Sequence, residues 1–332
     1  MYHAEQPPVL PARDNTADAQ QALLYANTWY RTRPWSEAYR YTRHRLHLGD
    51  ARDLSWLDDC SVHLVVCSPP YWNLKKYEDS NGQMGHVDDY DSFLDQLDTV
   101  WRECLRVLVP GGRVCCVVGD VCVSRRAAGR HHVVPLHSDI QVRVRKLGEE
   151  LGGADTLTPI LWHKIANVST ESAGNGSAYL GKPFQPNGII KNDTEYVLFF
   201  RKAGGYRSVS PMQRALSMIN KDEHGAWFRS IWTDVNGAST RNGHPAPYPV
   251  ELAERLIRMF SFAGDVVLDP FAGSGSTSVA AMRTGRNSVS NELQPAYMRM
   301  AHARLVAESA RAPHAPCTEA HVTLDAPIPP QD

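Results

Sequence analysis

Hydrophobic positions in this chain fall into short blocks whose periodicity changes repeatedly. Val62–Cys67 is an apolar run without helical spacing, and Arg113–Gly119 is another. Runs of this length without polar alternation read as strands buried on both faces of a parallel sheet. Between them Phe93, Leu94, Leu97, Val100, Trp101, Leu105 and Leu108 recur at helical spacing, and Pro110-Gly111-Gly112 is expected to stop that helix and turn the chain into the next strand. Leu157–Trp162 and Glu195–Phe200 predict two more strands, the second bounded by Asn192-Asp193 and Gly204-Gly205. Farther on, Leu252, Leu256 and Met259 line one helix. A strand at Val266–Leu268, a helix at Thr277–Thr284, a strand at Asn287–Ser290 and a helix at Ala296–Val306 follow. Alternating strands and helices predict an α/β fold built on a doubly wound, mostly parallel sheet. Residues 1–40, the Gly/Ser/Asn-rich stretch 166–192 and residues 203–245 fit that pattern poorly, and the tail from Ala310, rich in Ala and Pro, is expected to be mobile.

Composition narrows the class. Of 332 residues 42% are hydrophobic and 21% charged, which excludes wholesale disorder, collagen and coiled coil. No apolar run approaches the roughly 18 residues of a membrane span. Glu5, Pro7 and Pro8 stand where a signal peptide needs an apolar core. Seven cysteines include no C-x-x-C pair, and Cys115, Cys116 and Cys122 lie in or beside an apolar run, as reduced structural thiols do. These features predict a cytoplasmic protein with no membrane attachment and no metal site. The formal charge of −1 gives no global attraction to nucleic acid, but it is unevenly spread. Residues 78–103 hold eight acids against Arg102. Residues 125–146 carry Arg125, Arg126, Arg130, Arg143, Arg145 and Lys146 against Asp139, and 201–229 carry Arg201, Lys202, Arg207, Arg214, Lys221 and Arg229 against Asp222 and Glu223. An acidic face and two basic segments suit a protein presenting one side to a polyanion.

Two turns carry candidate chemistry. In Val267-Leu268-Asp269-Pro270-Phe271-Ala272-Gly273-Ser274-Gly275-Ser276-Thr277 a buried strand ends in an acid, and a Gly-x-Gly turn leads into a helix. Glycines there let backbone approach a ligand at the carboxyl edge of a sheet. A nicotinamide-nucleotide site is the obvious competitor. The third glycine of G-x-G-x-x-G is replaced by Ser278, however, and Asp269 would repel a pyrophosphate. An acidic strand end instead suits a ligand with a cationic head, such as the amino and sulfonium groups of S-adenosylmethionine. Glu292, roughly 20 residues on and after the next strand, stands where a ribose diol is hydrogen-bonded. The other turn, Cys67-Ser68-Pro69-Pro70-Tyr71-Trp72, follows the strand 62–67. Its prolines fix φ and remove two donors, leaving carbonyls, a hydroxyl and the Tyr71 ring to grip a planar group with an exocyclic amine.

Together these motifs resemble the amino-DNA methyltransferases, which methylate N4 of cytosine or N6 of adenine. Their (Asp/Asn/Ser)-Pro-Pro-(Tyr/Phe) motif is matched by Ser68, Pro69, Pro70 and Tyr71, and their Phe-x-Gly-x-Gly motif by Phe271–Gly275. The catalytic motif comes first, as in the permuted β group. Gly49-Asp50 is similar to the adenine-contacting element, Asn192–Tyr196 to a late-strand motif, and His244–Pro249 to the segment that closes over the methionine end of the cofactor. Asn291 before Glu292 departs from the glycine or apolar residue usual there.

The resemblance implies a Rossmann-like fold dependent on S-adenosyl-L-methionine, with Asp50, His244, Asp269, Phe271, Gly273, Gly275, Thr277 and Glu292 at the cofactor. It implies a catalytic half over 43–202, a target-recognition region over 203–243 and a cofactor half over 244–309, flanked by an extension (1–42) and a mobile tail (310–332). Double-stranded DNA is the implied partner, methylated by base flipping and direct in-line attack without a cysteine nucleophile. Lys75, Lys76, Arg125, Arg126, Arg130, Arg207, Arg214 and Arg229 are the expected DNA contacts. Serine at the first motif position resembles the N4-cytosine enzymes; Asp or Asn is typical of adenine enzymes. An N6-adenine enzyme and a non-catalytic DNA-binding module are the alternatives. A separately acting restriction endonuclease and a monomeric or homodimeric state complete the expectation.

Overall fold

The computed structural model describes residues 7–72, 84–87, 89–164, 190, 192–237, 248–311 and 319–329. In chain order the elements are α1 (Ala17–Tyr30), α2 (Glu37–Arg40), β1 (Tyr41–Leu48), β2 (Val62–Cys67), α3 (Tyr90–Val107), β3 (Leu108–Val118), β4 (Val121–Val123), α4 (Arg125–Ala128), β5 (His132–Val134), α5 (Leu136–Glu150) and β6 (Ala154–His163). They continue with β7 (Thr194–Lys202), α6 (Pro211–Ser217), α7 (Lys221–Trp227), β8 (Ile231–Trp232), α8 (Val250–Phe260), β9 (Val266–Asp269), α9 (Ser276–Arg283), β10 (Asn287–Glu292), α10 (Pro295–Ser309) and β11 (Glu319–Leu324). Lys75, Lys76 and His244 lie outside the described residues.

Nine strands form one sheet in the order β11-β1-β10-β9-β2-β3-β7-β6-β8, and β4 pairs with β5 separately. All pairings in the large sheet are parallel except those of β7 with β3 and β6. From β2 the chain winds outward through α3 to β3. From β9 it winds the other way through α9 to β10. The winding therefore reverses between β2 and β9, which pair directly (Leu64↔Val267, Val65↔Leu268). Ligands of open α/β sheets bind outside the carboxyl ends of the strands at such a reversal.

The lack of polar alternation in the strands has a direct cause. Val65, Cys67, Val114, Cys116, Leu198 and Phe200 pack on one face with α3 and α5, while Leu64, Val66, Cys115, Val117, Val197 and Phe199 pack on the other with α8 and α9. Helices cover both faces, so successive positions along these strands are buried alike, each large apolar side chain contributing roughly 1.5–3 kcal/mol. Helix α3 starts where Asp89 accepts a hydrogen bond from Ser92 N–H at 2.7 Å and buries the stripe from Phe93 to Leu105 against the first face.

Several expectations require correction. Pro110-Gly111-Gly112 does not terminate α3, which ends at Val107; these residues lie inside β3, where the pairing with β2 shifts register between Val62 and Leu64. The tail is not wholly mobile. Its residues Glu319–Leu324 extend the sheet beside β1, and Asp325 holds Arg45 (2.6 Å) and His47 (2.8 Å). Within the amino-terminal extension, Leu23, Ala26, Trp29 and Tyr30 of α1 pack with Ala215 and Leu216 of α6.

The charged segments also pair with one another. Arg143 of α5 binds Asp95 and Asp98 of α3, the latter at 2.7 Å, and Arg102 binds Glu150 at 2.5 Å. Arg207 and Arg214, expected at DNA, are engaged elsewhere. Arg207 bonds the buried Asp265 carboxylate, and Arg214 reaches Asp14 (3.6 Å) and the Ala12 carbonyl (3.4 Å). Asp265 immediately precedes β9, so Arg207 lies at the amino end of the strand whose carboxyl end carries the glycine turn. No helix among the described residues is long and apolar enough to cross a membrane.

Removing Arg207 would leave Asp265, 3% exposed, without its cation. Arg207→Ala is expected to cost about 2 kcal/mol, a buried-pair loss discounted for the solvent that reaches the arginine. The exposed Arg125→Ala should leave the thermal midpoint unchanged, and parallel thermal denaturation of the two variants checks this.

Candidate active site

The two turns singled out from sequence are neighbours. Ser68–Tyr71 leaves the carboxyl end of β2, and Pro270–Gly275 leaves that of β9, the adjacent parallel strand. Thr277 ties them together. Its Oγ1 donates to Asp269 Oδ2 at 2.6 Å and lies 3.3 Å from the Val66 carbonyl oxygen of β2. Tyr248 reaches the same point, its hydroxyl donating to Asp269 Oδ2 at 2.9 Å and touching Thr277 Oγ1. The Phe271 N–H donates to Asp269 Oδ1 at 3.0 Å, closing the turn over the carboxylate. Gly275 begins α9 with φ +78°, and a Cβ there would stand 3.2 Å from Ala301 Cβ of α10. Glycine meets both demands, since it has no Cβ and adopts the left-handed region freely.

Glu292 ends β10 and turns back into the same loop. One carboxylate oxygen accepts from Gly273 N–H and the other from Gln294 N–H, both at 2.8 Å. Asp50 follows β1, whose Leu48 is in register with Glu292, and Gly49 N–H donates to the Glu292 carbonyl at 2.9 Å. The structure thus gathers Asp50, Asp269, Phe271, Gly273, Gly275, Thr277 and Glu292 along one edge. Asn291 brackets this group, its Nδ2 donating to the Gly49 carbonyl at 3.0 Å and to the Pro270 carbonyl at 3.3 Å. Its Oδ1 is buried without a hydrogen-bond partner.

The electrostatics of the edge are unusual. Burial pushes Asp269 up to about 6 against the opposing pull of Thr277, Phe271 N–H and Tyr248. Burial likewise pushes Glu292 up to about 7, opposed by the Gln294 and Gly273 N–H groups. Among the described residues neither carboxylate has an ion-pair partner; all their hydrogen bonds come from neutral groups. Buried carboxylates so placed favour a ligand that brings positive charge and hydroxyl donors. Asp50 differs: burial raises it, but Arg52, donating through Nε at 3.0 Å to each oxygen, more than offsets this and holds it below the usual range.

At the other corner Ser68 Oγ lies 3.3 Å from the Tyr71 hydroxyl. Pro69 is buried and Pro70 half-buried. The Tyr71 ring is 7% exposed, a packed apolar wall. It abuts Gly119, where an added Cβ would stand 3.4 Å from Tyr71 Cε2 and 3.1 Å from Glu195 Cγ. Glu195 in turn holds Lys164 at 2.5 Å. Trp72, at φ +45°, is pinned by donation from Nε1 to the Val87 carbonyl at 2.8 Å. Cys67 is fully buried and burial drives its thiol well up, so it offers no thiolate to the corner.

Three contributors escaped sequence reasoning. Tyr248 stood in a recognised segment in which His244 drew notice, the Lys164–Glu195 pair joins residues 31 apart, and Asn291 looked like a mere departure. Of the expected DNA contacts, Arg125, Arg126 and Arg130 are exposed in the β4–β5 excursion that leaves the carboxyl end of β3, on the same edge as the Ser68–Tyr71 turn. Arg229 is exposed and donates to the Gly225 carbonyl at 2.8 Å.

Comparisons with known proteins agree with this geometry. The model of a DNA methylase family, the N6/N4 methyltransferases, matches residues 62–303. Type II methyltransferase M.MjaI of Methanocaldococcus jannaschii is 36% identical over 283 residues, covering 76% of this chain and 88% of that protein. M.MthZI of Methanothermobacter thermautotrophicus is 34% identical, covering 80% and 77%. Among solved structures, a candidate DNA modification methylase of Thermus thermophilus, crystallised with S-adenosyl-L-methionine, is 48% identical. The match covers 86% of this chain and 99% of that one, with a TM-score of 0.67. PvuII DNA methyltransferase, at 20% identity and a TM-score of 0.53, shares the fold. With its Ser68–Tyr71 and glycine turns on adjacent strands of a doubly wound sheet, this chain belongs to the N6/N4 DNA methylase family.

Proposed function

We infer that the chain transfers a methyl group from S-adenosyl-L-methionine to the exocyclic N4 amine of cytosine in double-stranded DNA. The observation that carries the reading is the contact of Thr277, at the head of the glycine turn's helix, with both Asp269 of β9 and Val66 of β2. It sets a cation-accepting pocket beside a corner built to grip an amine. S-adenosyl-L-methionine, when bound, supplies an electrophilic methyl on a sulfonium. Asp269 and Glu292 would hold its positive charge and ribose hydroxyls, with Asp50 on the adenine side and the backbone of Phe271–Gly275 against it.

A base inside a duplex cannot reach a sheet edge, so the target nucleotide is extruded at a cost of a few kcal/mol. Stacking on an aromatic ring returns roughly 1–3 kcal/mol, which at Tyr71 requires its covering side chains to withdraw. Ser68 Oγ and the Pro69 carbonyl accept hydrogen bonds from the amine, favouring a tetrahedral nitrogen whose lone pair is free to attack. Positioning of this kind is worth about 7–11 kcal/mol. The base assignment rests on Ser68: a neutral hydroxyl can donate to cytosine N3, whereas the carboxylate or amide typical of adenine enzymes is missing. Arg125, Arg126 and Arg130, all exposed, would hold phosphates. A cognate restriction endonuclease acting separately belongs to this reading.

Methylating plasmid DNA and digesting it to nucleosides should yield N4-methylcytidine; N6-methyladenosine would overturn the base assignment. Ser68→Ala should lower methyl transfer at least about tenfold while S-adenosyl-L-methionine affinity stays within about twofold. The pH dependence has a definite sign. Asp269 and Glu292 titrate near about 6 and 7 in the ligand-free fold, above their ordinary 3.8 and 4.5. Their ionisation therefore costs the free protein stability as pH rises through that window, and a cationic ligand relieves the cost. Cofactor affinity should rise from about pH 5 to about pH 8 with proton release on binding, and Asp269→Asn should flatten the slope. Calorimetry in buffers of different ionisation enthalpy measures both.

A further inference from the structure

A second cavity lies at the opposite edge of the sheet, a strand's length from the catalytic corner. It measures about 270 Å³ and is walled by α1, the end of α6, the start of α7, the carboxyl-terminal halves of α8 and α9, and the turn into β10. Its charged lining consists of Arg31, Arg258, Arg283 and Arg286 against Glu223 and Glu254. Most of this charge is committed. Arg258 forks onto both oxygens of Glu223 at 2.8 Å, and Arg283 holds Glu308 at 2.6 Å and reaches Glu254 at 3.4 Å.

Arg286 is different. It is 2% exposed, and its hydrogen bonds among the described residues go only to neutral oxygens: Ser261 Oγ at 3.2 Å, the Ser261 carbonyl at 2.8 Å and the Thr284 carbonyl at 2.5 Å. Three of five guanidinium hydrogens are thereby used. Asp265, whose charge is felt at Arg286, spends its own oxygens on Arg207 and on the Phe262 N–H at 2.8 Å. A buried guanidinium facing a cavity with neutral partners alone is costly unless a counter-charge completes it. Arg31 stands exposed at the rim, its charge felt at Glu223, whose two oxygens are already taken by Arg258.

We propose that this cavity is a binding site for a phosphate dianion, free or as a small phosphomonoester, held by Arg286 within and Arg31 at the rim. Two guanidinium groups beyond those neutralised by the lining carboxylates match the charge of a phosphate, and their planar forks match its oxygens. The volume is several times that of a water molecule, roughly 30 Å³, so a phosphate enters with room for part of an ester substituent. The site is independent of methyl transfer, because none of its residues contacts the Ser68 or Asp269 corners.

The test is calorimetric titration of the full chain with orthophosphate and, separately, a deoxynucleoside 5′-monophosphate, at ionic strength held constant with chloride. Saturable one-site binding is expected. Tighter binding of the monophosphate identifies the phosphomonoester as the ligand, and equal binding identifies the free ion. Arg286→Lys and the rim variant Arg31→Gln should each weaken it about tenfold, and Glu254→Gln should tighten it, while S-adenosyl-L-methionine affinity is unchanged. Because Arg31 is exposed and Glu254 becomes neutral without loss of volume, those two variants decide the matter even if Arg286→Lys folds poorly. Absence of saturable binding, or affinities indifferent to Arg31→Gln and Glu254→Gln, overturns the proposal.

Discussion

The parallel pairing of β2 with β9 is the constraint on which everything else in this molecule depends. Residues 64–65 and 267–268 are some two hundred positions apart, yet their ladder brings two loops to one edge with their backbones at neighbouring-strand spacing, roughly 4.8 Å. Chain winding reverses at this pair, so the loops after β2 and β9 leave the sheet side by side at the same edge. Apolar side chains on both faces of β2 and β9 lock the pairing between two helical layers. The fixed placement of the Ser68–Tyr71 turn beside the Asp269–Gly275 turn follows from core packing, with no need for either loop to be rigid by itself.

Rigidity is added by hydrogen bonds that cross the junction. Thr277, Tyr248 and Asp269 form a closed group, and Asn291 staples the loop after β1 to the loop after β9. The acids enclosed by this scaffold are held in an environment that raises them. The free protein therefore carries an electrostatic cost when these two buried carboxylates ionise.

Charge elsewhere is distributed by the opposite logic. Arg143 satisfies the acids of α3, Arg207 neutralises Asp265 under β9, and Arg258 satisfies Glu223. What looks like a pair of cationic surfaces in one dimension is largely internal stitching. The exposed Arg125, Arg126 and Arg130 remain on the edge of the Ser68–Tyr71 turn, and Arg286 remains enclosed at the far edge with neutral oxygens as its hydrogen-bond partners among the described residues.

Local chemistry fixed a good part of this protein before any coordinates. Val62–Cys67 matches β2 end for end, and β9, α9, β10 and α10 fall within a few residues of their predicted spans, because burial on both faces and helical spacing are properties of neighbouring residues. Ser68–Tyr71 and Asp269–Gly275 were legible for the same reason: proline stiffness and glycine permissiveness need no distant partner. Strands β1 and β11 were not, since Tyr41–Leu48 and Glu319–Leu324 carry polar faces and gain their order by pairing with each other across the chain. The depth of burial of Tyr71, Tyr248 at Asp269 and the partners of Arg207 and Arg214 were likewise beyond sequence. A side chain's exposure and its counter-ion are set by which segments the sheet brings together, so only the tertiary structure decided them.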